Sequence, residues 1–316
     1  IEECLVGREL SVMALTDGTD LLVLPVARDH KRLGDGDEGP NTGGMGAYSP
    51  VPDVDAATIE AIAQTIIAPA VAGLAAEGRR FVGVLYAGCM LTAEGPKCLE
   101  FNARFGDPET QVILPRLKTD LIALIDACIE TRLSEATLEV SDETTVGVVV
   151  AAPGYPGDVQ PGAHVSGLEA ARTSAEIYSA GLGLLSSGYA ALGGRVLTIV
   201  GRGADLATAR TYAYRAVDAL VFEGMQVRRD IAATSTYAQA GVDIAAANAA
   251  VRGIGDAVRS TFNPFVLSKL GSFGGLFDAK AFAGLAHPVL VASTDGVGTK
   301  TMIARATNRW NTIGRD

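Results

Sequence analysis

The chain is 316 residues long, 48% hydrophobic and 20% charged, which excludes a disordered or fibrous protein and supplies apolar side chains for two or more cores. Its formal net charge of −10 argues against an electrostatic footprint for nucleic acid or an anionic membrane, so any anionic substrate has to be held by local groups. No apolar run reads as long enough to span a bilayer and no charged start leads a short apolar core, so a cytoplasmic location is expected.

Cys4, Cys89, Cys98 and Cys128 show no paired metal spacing and read as reduced core thiols. His30, His164 and His287 are too far apart in sequence to suggest a zinc cluster or a histidine-centred triad. Ile1 and Asp316 both fall in sequence that reads as ordered, so a fragment cut at both ends is expected.

Residues 1–5 read as a short strand. Residues 8–16 and 20–26 read as a hairpin turned by Asp17-Gly18. Arg28, His30, Lys31 and Arg32 then bring cationic side chains together, followed by a run punctuated by Gly34, Gly36, Gly39, Gly43, Gly44 and Gly46. That run has no hydrophobic periodicity and reads as a long loop, either a surface linker or a substrate loop whose backbone approaches a ligand closely. Asn41, Thr42, Met45 and Tyr48, packed among the glycines, favour the substrate loop.

Residues 55–77 carry Ile59, Ile62, Ile66, Ile67, Val71 and Leu74 at helical spacing, with Asp53 or Asp55 as cap, Gly78 as stop and Pro69 as a kink. Residues 81–91 read as an apolar strand and 97–101 as its return strand, with a turn at Glu94-Gly95-Pro96. Alternation places Glu100 and Asn102 on one face as a pair of hard oxygen donors, suited to magnesium held together with substrate phosphates. Arg104 follows at the same alternation and suits a phosphate or carboxylate oxygen. A surface ion pair between Glu100 and Arg104 is the alternative. Pro108 starts a helix, and residues 120–131 form an amphipathic one.

The segments Asp29-His30-Lys31-Arg32, Gly39-Pro40-Asn41-Thr42-Gly43-Gly44-Met45-Gly46-Ala47-Tyr48-Ser49-Pro50 and Glu100-Phe101-Asn102-Ala103-Arg104-Phe105-Gly106-Asp107-Pro108-Glu109-Thr110-Gln111 resemble glycinamide ribonucleotide synthetase, also called phosphoribosylamine glycine ligase. That family is an ATP-grasp ligase of purine biosynthesis. The resemblance implies that ATP and glycine form glycyl phosphate, which the amine of phosphoribosylamine attacks. It implies a divalent ion, Mg2+ or Mn2+, on Glu100 and Asn102, with ATP as co-substrate. It further implies adenine contacts from Glu2, Glu3 and Leu5, ribose contacts from Glu9, catalytic roles for Asn41, Thr42 and Arg104, and substrate contacts from Asp29, Lys31, Gly43, Gly44 and Asp107. Many ATP-grasp enzymes add a carboxylate ligand from the preceding strand. Tyr86-Ala87-Gly88-Cys89 offers none, so two protein ligands are expected. The family's amino-terminal domain and its lysine-bearing ATP lobe should precede Ile1, so the chain alone is expected to be inactive.

Residues 146–151 and 193–200 read as strands, 205–220 as a helix and 225–229 as a last strand, resembling the ligase's carboxy-terminal domain. Pro153 to Gly157 read as a turn and His164 as a structural histidine. Arg228-Arg229-Asp230 and the small polar residues that follow read as a linker. Residues 242–259 suit a helix and 288–294 a buried strand. Ala240-Gly241-Val242-Asp243-Ile244, the loop around Gly274-Gly275 and Ser293-Thr294-Asp295-Gly296-Val297-Gly298-Thr299-Lys300 resemble the start of aminoimidazole ribonucleotide synthetase, a cyclo-ligase. That resemblance implies a metal contact from Asp295, phosphate contacts from Gly296, Gly298 and Lys300, and a homodimer. Gln239, where lysine is frequent, and Ser272, within the usual glycine pair, depart from it.

The expected architecture is therefore α+β: a partial ATP-grasp domain with an antiparallel sheet and helices over 1–133, a small mixed α/β ligase domain over 134–230, a linker over 231–237 and the start of an α/β cyclo-ligase domain over 238–316. The expected partners are small molecules, ATP, glycine and phosphoribosylamine, without nucleic acid or membrane. The rival readings are a noncatalytic nucleotide-binding or assembly module, and an ATP-grasp ligase with another amine acceptor.

Overall fold

A computed structural model describes residues 3–233, 255–267 and 276–287. The chain divides into two units, Ile1–Thr234 and Ser235–Asp316.

The first unit opens with strand β1 (Arg8–Thr16), which turns at Asp17-Gly18 into β2 (Leu21–Val23). The Asp17 carboxylate accepts from the Thr19 and Asp20 amides and caps the turn. Short strands β3 (Arg28–Asp29), β4 (Arg32–Gly34), β5 (Glu38–Asn41) and β6 (Gly46–Ser49) follow. The glycine-rich run is thus not one loop. Strands β4 and β5 pair as a small hairpin, and β6 joins a sheet.

Helices α1 (Ala56–Ile62) and α2 (Ala68–Ala76) are joined by one π turn, Ala63–Ile67. Pro69 sits in the first turn of α2, where its missing N–H and ring are accommodated by that irregularity. Of the two candidate caps, Asp55 accepts from the Thr58 amide. By length and composition Ala56–Ala76 is apolar enough to cross a membrane, contrary to the reading from sequence. In this fold Ile62, Ile67 and Val71 pack into the core.

Strands β7 (Gly83–Thr92) and β8 (Gly95–Asn102) complete a four-stranded antiparallel sheet in the order β2-β1-β7-β8. Strand β1 is buried on both faces. Leu10, Val12 and Ala14 enter one hydrophobic cluster, Met13 and Leu15 the other. Alternation along one strand therefore feeds two cores, each buried side chain contributing roughly 1.5–3 kcal/mol. Helices α3 (Glu109–Ile113) and α4 (Leu121–Ile129) come next, the latter capped by Asp120.

Strands β9 (Thr144–Ala151) and β10 (Ala163–His164), helix α5 (Leu168–Arg172), strands β11 (Glu176–Ser179), β12 (Leu182–Leu185), β13 (Gly188–Ala191) and β14 (Arg195–Gly203), and helix α6 (Leu206–Ala219) make up the rest of this unit. A five-stranded sheet runs β11-β14-β9-β6-β3, so strands from either side of residue 133 share one ladder. Their backbone groups satisfy each other, which ties the glycine-rich region to the later half of the unit.

Several expected elements differ. Residues 3–6 form no strand. Residues 225–229 make only a single bridge, Ala151 with Gln226. Arg228 is no linker residue: it is 1% exposed and donates to Asp37, Asp230 and the Arg32 carbonyl. Cys4 and Cys98 are exposed rather than core thiols, although all four cysteines are free. His164 is exposed.

In the second unit the described residues contain helix α7 (Gly255–Ser260), a bridge between Val266 and Phe277, and tilted ring contacts of Phe277 with Phe265 and with Phe282. The expected strand over 288–294, most of the helix over 242–259 and most of the glycine loop lie outside the described residues.

Candidate active site

The outer wall of the site is the edge strand β8. Glu100 lies opposite Gly88 and Asn102 opposite Tyr86, so the two oxygen-bearing side chains share a face. Asn102 Nδ2 donates to Glu100 Oε1 at 3.1 Å, and Arg104 donates to Asn102 Oδ1 at 3.4 Å and to the Phe105 carbonyl at 2.9 Å. Arg104 therefore reaches Asn102 rather than forming the alternative ion pair with Glu100.

The inner wall is buried. Glu109, at the start of α3, is 4% exposed, and its Oε1 accepts from Ser11 Oγ at 2.9 Å and from the Tyr86 hydroxyl at 3.0 Å. Burial, then the Glu109 charge, raises the Tyr86 pKa and keeps its proton in place. Gly106 leaves room for the Glu109 carboxylate, since a Cβ there would fall 2.6 Å from Glu109 Oε2.

Between the walls lies a cavity of about 190 Å³. It gathers Asp29 and Lys31 from the end of β3 and beyond, Thr42 and Gly43 from the glycine run, and Glu100, Asn102, Arg104 and Asp107 from β8 and its loop, together with Tyr86 and Glu109. A larger cavity of about 500 Å³ shares Asp29 and Lys31 and is rimmed by Glu9, Asn41 and Met90. Lys31 and Glu9 form an ion pair. Burial works against the Lys31 charge, but Asp29, Glu9 and Glu100 outweigh it and raise its pKa. For Asp29, burial and then the Glu109 carboxylate push the pKa up to about 7, so its proton is exchangeable near neutrality.

The cations next to Asp29 do not converge. Arg28 makes a paired contact with Asp53 at 2.7 and 3.0 Å, and Arg32 donates to the Gly39 carbonyl. Burial, then the Arg228 cation, lowers the His30 pKa to about 4, so it is neutral at pH 7 and its Nε2 accepts from the Ala232 amide at 3.4 Å.

The glycine run is held from the later half of the unit. Arg195 Nη1 donates to the carbonyls of Gly43 and Asp107 at 2.8 and 2.7 Å, and Nη2 to Asp107 Oδ2 at 3.0 Å. The Gly43 amide donates to the Tyr155 hydroxyl at 2.9 Å, so the turn at 153–157 contributes a side chain to the site. Gly44 has φ +110°, and a Cβ there would meet Pro108 Cδ at 2.4 Å. Only glycine permits that approach.

Of the other residues singled out in the sequence, Glu3 is exposed and pairs with Lys97 at 3.1 Å, and Leu5 lies in irregular backbone. Glu2, Asp295, Gly296, Gly298 and Lys300 lie outside the described residues. The sequence reading did not single out Glu109, Tyr86, Arg195 or Arg228. Glu109 stands in the quoted motif without a pattern of its own, and nothing local to Arg195 or Arg228 points at residues more than eighty positions away.

The donor set on β8 suits a hard divalent ion. Glu100 and Asn102 supply two oxygen-bearing groups on one exposed face, and among the described residues no three His, Cys, Asp or Glu side chains come close enough to hold a metal by themselves. Two protein donors leave room for water and phosphate oxygens to complete the shell of such an ion.

Comparison with known proteins gives matches to the phosphoribosylglycinamide synthetase ATP-grasp (A) domain over residues 1–110 and to the phosphoribosylglycinamide synthetase C domain over residues 145–234. A trifunctional purine biosynthetic protein of Gallus gallus is 45% identical over the whole chain and a bifunctional purine biosynthetic protein of Schizosaccharomyces pombe 41% identical. The chain spans 33% and 41% of the length of these two relatives. A crystal structure of phosphoribosylamine–glycine ligase from Thermotoga maritima is 37% identical with a TM-score of 0.67, over 73% of this chain and 57% of that one. Urea carboxylase of Kluyveromyces lactis, at 14% identity and a TM-score of 0.52 over 74% of this chain and 20% of that one, shares the fold alone.

Proposed function

Residues 1–110 and 145–234 belong to the ATP-grasp and C domains of the phosphoribosylglycinamide synthetase family, and on that premise we propose that this chain forms the acceptor side of an ATP-dependent ligase joining glycine to 5-phosphoribosylamine through glycyl phosphate. The observation that carries the reading is the meeting of four separate stretches, around Asp29, Thr42, Tyr86 and Glu100, in one 190 Å³ polar cavity.

Glu100 and Asn102 would hold the divalent ion, Mg2+ or Mn2+, which when bound neutralises phosphate charge and orients the transferred group. Arg104, on the same wall, is placed to hold an anionic oxygen of substrate or intermediate. Lys31, kept charged by its acidic neighbours, adds a second positive group across the cavity. Arg195 and Tyr155 fix the backbone of Gly43, so Thr42 and Gly43 meet substrate from a preset turn. The work of these side chains is positioning and charge compensation rather than covalent chemistry. Glu9 and Asn41 rim the adjoining cavity, where the ribose and the acceptor would lie.

Beyond residue 234 the alignment with the chicken protein continues over the whole chain, which supports a fused second activity, ATP-dependent ring closure of formylglycinamidine ribonucleotide. The metal and phosphate roles of Asp295, Gly296, Gly298 and Lys300, and pairing of two copies through this part, belong to the same proposal. Four free thiols fit a reducing cytoplasm.

The test uses the full-length protein, because the relatives are two to three times longer than this chain. Phosphate release from ATP is expected to require both glycine and phosphoribosylamine. Release supported equally by another amine would overturn the acceptor assignment, and unchanged turnover in Glu100→Gln would overturn the metal site.

A further inference from the structure

A third cavity, of about 310 Å³, shares no lining residue with the candidate active site. Its walls are aliphatic, with Val26, Val51, Val54, Ile59, Leu138 and Val140 among them, and its one charged lining group is Arg116. Arg116 is only 7% exposed.

Among the described residues, every hydrogen-bond acceptor of Arg116 is neutral. Nε donates to the Glu143 carbonyl at 2.9 Å, Nη1 to Ser49 Oγ at 2.7 Å and Nη2 to the Ser141 carbonyl at 3.2 Å. A guanidinium carries five N–H donors, so two remain. Among the described residues no carboxylate lies within ion-pair distance of it. Asp142 acts only from longer range, the Glu143 carboxylate is taken by Arg202 at 2.6 Å, and Asp53 is shared by Arg8 and Arg28. A shielded cation without a counter-charge is costly, and arginine stays protonated rather than relieving the cost.

We propose that this cavity binds a small amphipathic monocarboxylate, its aliphatic body against the valine and isoleucine walls and its carboxylate on the free N–H groups of Arg116. Carboxylate geometry matches the guanidinium fork. A phosphate dianion fits less well, because the aliphatic walls would strip its water with a single cation in return. The volume lies near the lower end of the roughly 300–1,000 Å³ usual for small-molecule pockets, which favours a short chain. Because Ser49 takes one Arg116 donor at the end of β6, an occupied cavity would bear on the strand that follows the glycine run.

Titration of the full-length protein with hexanoate, followed by calorimetry and by NMR of labelled ligand, tests the assignment. Saturable one-to-one binding is expected, with hexan-1-ol about tenfold weaker, the size of one charge-assisted hydrogen bond, and inorganic phosphate without effect. Val54→Asp and Val140→Glu each place a competing carboxylate at the wall without touching an Arg116 hydrogen bond, and each should abolish hexanoate binding while the variant melts cooperatively. No saturable binding at millimolar hexanoate, equal binding of hexan-1-ol, stronger binding of phosphate, or undiminished binding in both folded variants would overturn it.

Discussion

The two walls of the cleft are built on opposite terms. Strand β8 offers Glu100, Asn102 and Arg104 from a sheet edge, where they bond to one another and to backbone and contribute little to the core. The inner side, with Glu109 under Ser11 and Tyr86, is made of buried charge whose partners come from distant sequence, and beside the β4–β5 hairpin the buried Arg228 clamp likewise reaches Asp37 from far along the chain. Exposed polar groups on a fixed strand are free to serve a ligand. Buried ones are committed to holding the backbone.

Substitutions should therefore separate the two. A large stability effect is expected for Arg228→Ala, which empties a buried site and leaves the part-buried Asp230 without its cation, Asp37 being 70% exposed, and should cost roughly 2–4 kcal/mol in urea unfolding. A loss below 1 kcal/mol would mean that the clamp is incidental. Glu100→Gln is its counterpart on the outer wall: turnover of the full-length enzyme should fall by about 10²–10³ while the melting temperature holds, and a large drop in melting temperature would erase the contrast.

Gly44→Ala lies between, a backbone effect at φ +110° of the order of 1–3 kcal/mol, read by thermal unfolding. For Arg195→Gln, whose Asp107 partner is 48% exposed, the stability cost should stay below about 1 kcal/mol, and the loosened Gly43 turn should show instead as a raised KM.

A further effect is pH-dependent. Asp29 titrates at about 7 in the folded chain against an ordinary value of 3.8, so the native state binds a proton that the unfolded state releases, and the ionised group costs stability as pH rises from about 4 through 7. Asp29→Asn should therefore be more stable than the parent at pH 8 and lose that advantage by pH 4. The reverse order in paired melting curves would remove Asp29 from the buried electrostatics of the cleft. Asp230 works in the other direction. Burial opposes it, but Arg228 holds its pKa down to about 2, so its contribution is present above pH 4 and lost as pH falls towards 2.

Local chemistry made part of this legible. The β1–β2 hairpin was readable from Asp17-Gly18, the helices from their spacing and, for the first, from the capping choice of Asp53 or Asp55, and the Glu100–Asn102 pair from strand alternation. Each rests on neighbours within a few residues. The glycine run misled because glycines hide strand pairing. The partners of β6 and of the β4–β5 hairpin, Val146 to Val148 on β9 and the 228–230 segment, lie about a hundred to two hundred positions downstream.

What the sequence by itself determined is the chemistry offered to the cleft: an acid and an amide on one strand face, a cation two residues on, and glycines where backbone must come close. What only the tertiary structure decided is which charges remain available to a ligand. Lys31 is paired with Glu9, Asp107 with Arg195 and Glu109 with two hydroxyls, while Asp29 is left with a raised pKa between them. The physical reason is that burial and long-range pairing set the electrostatics of a side chain, and neither is written in its sequence neighbours.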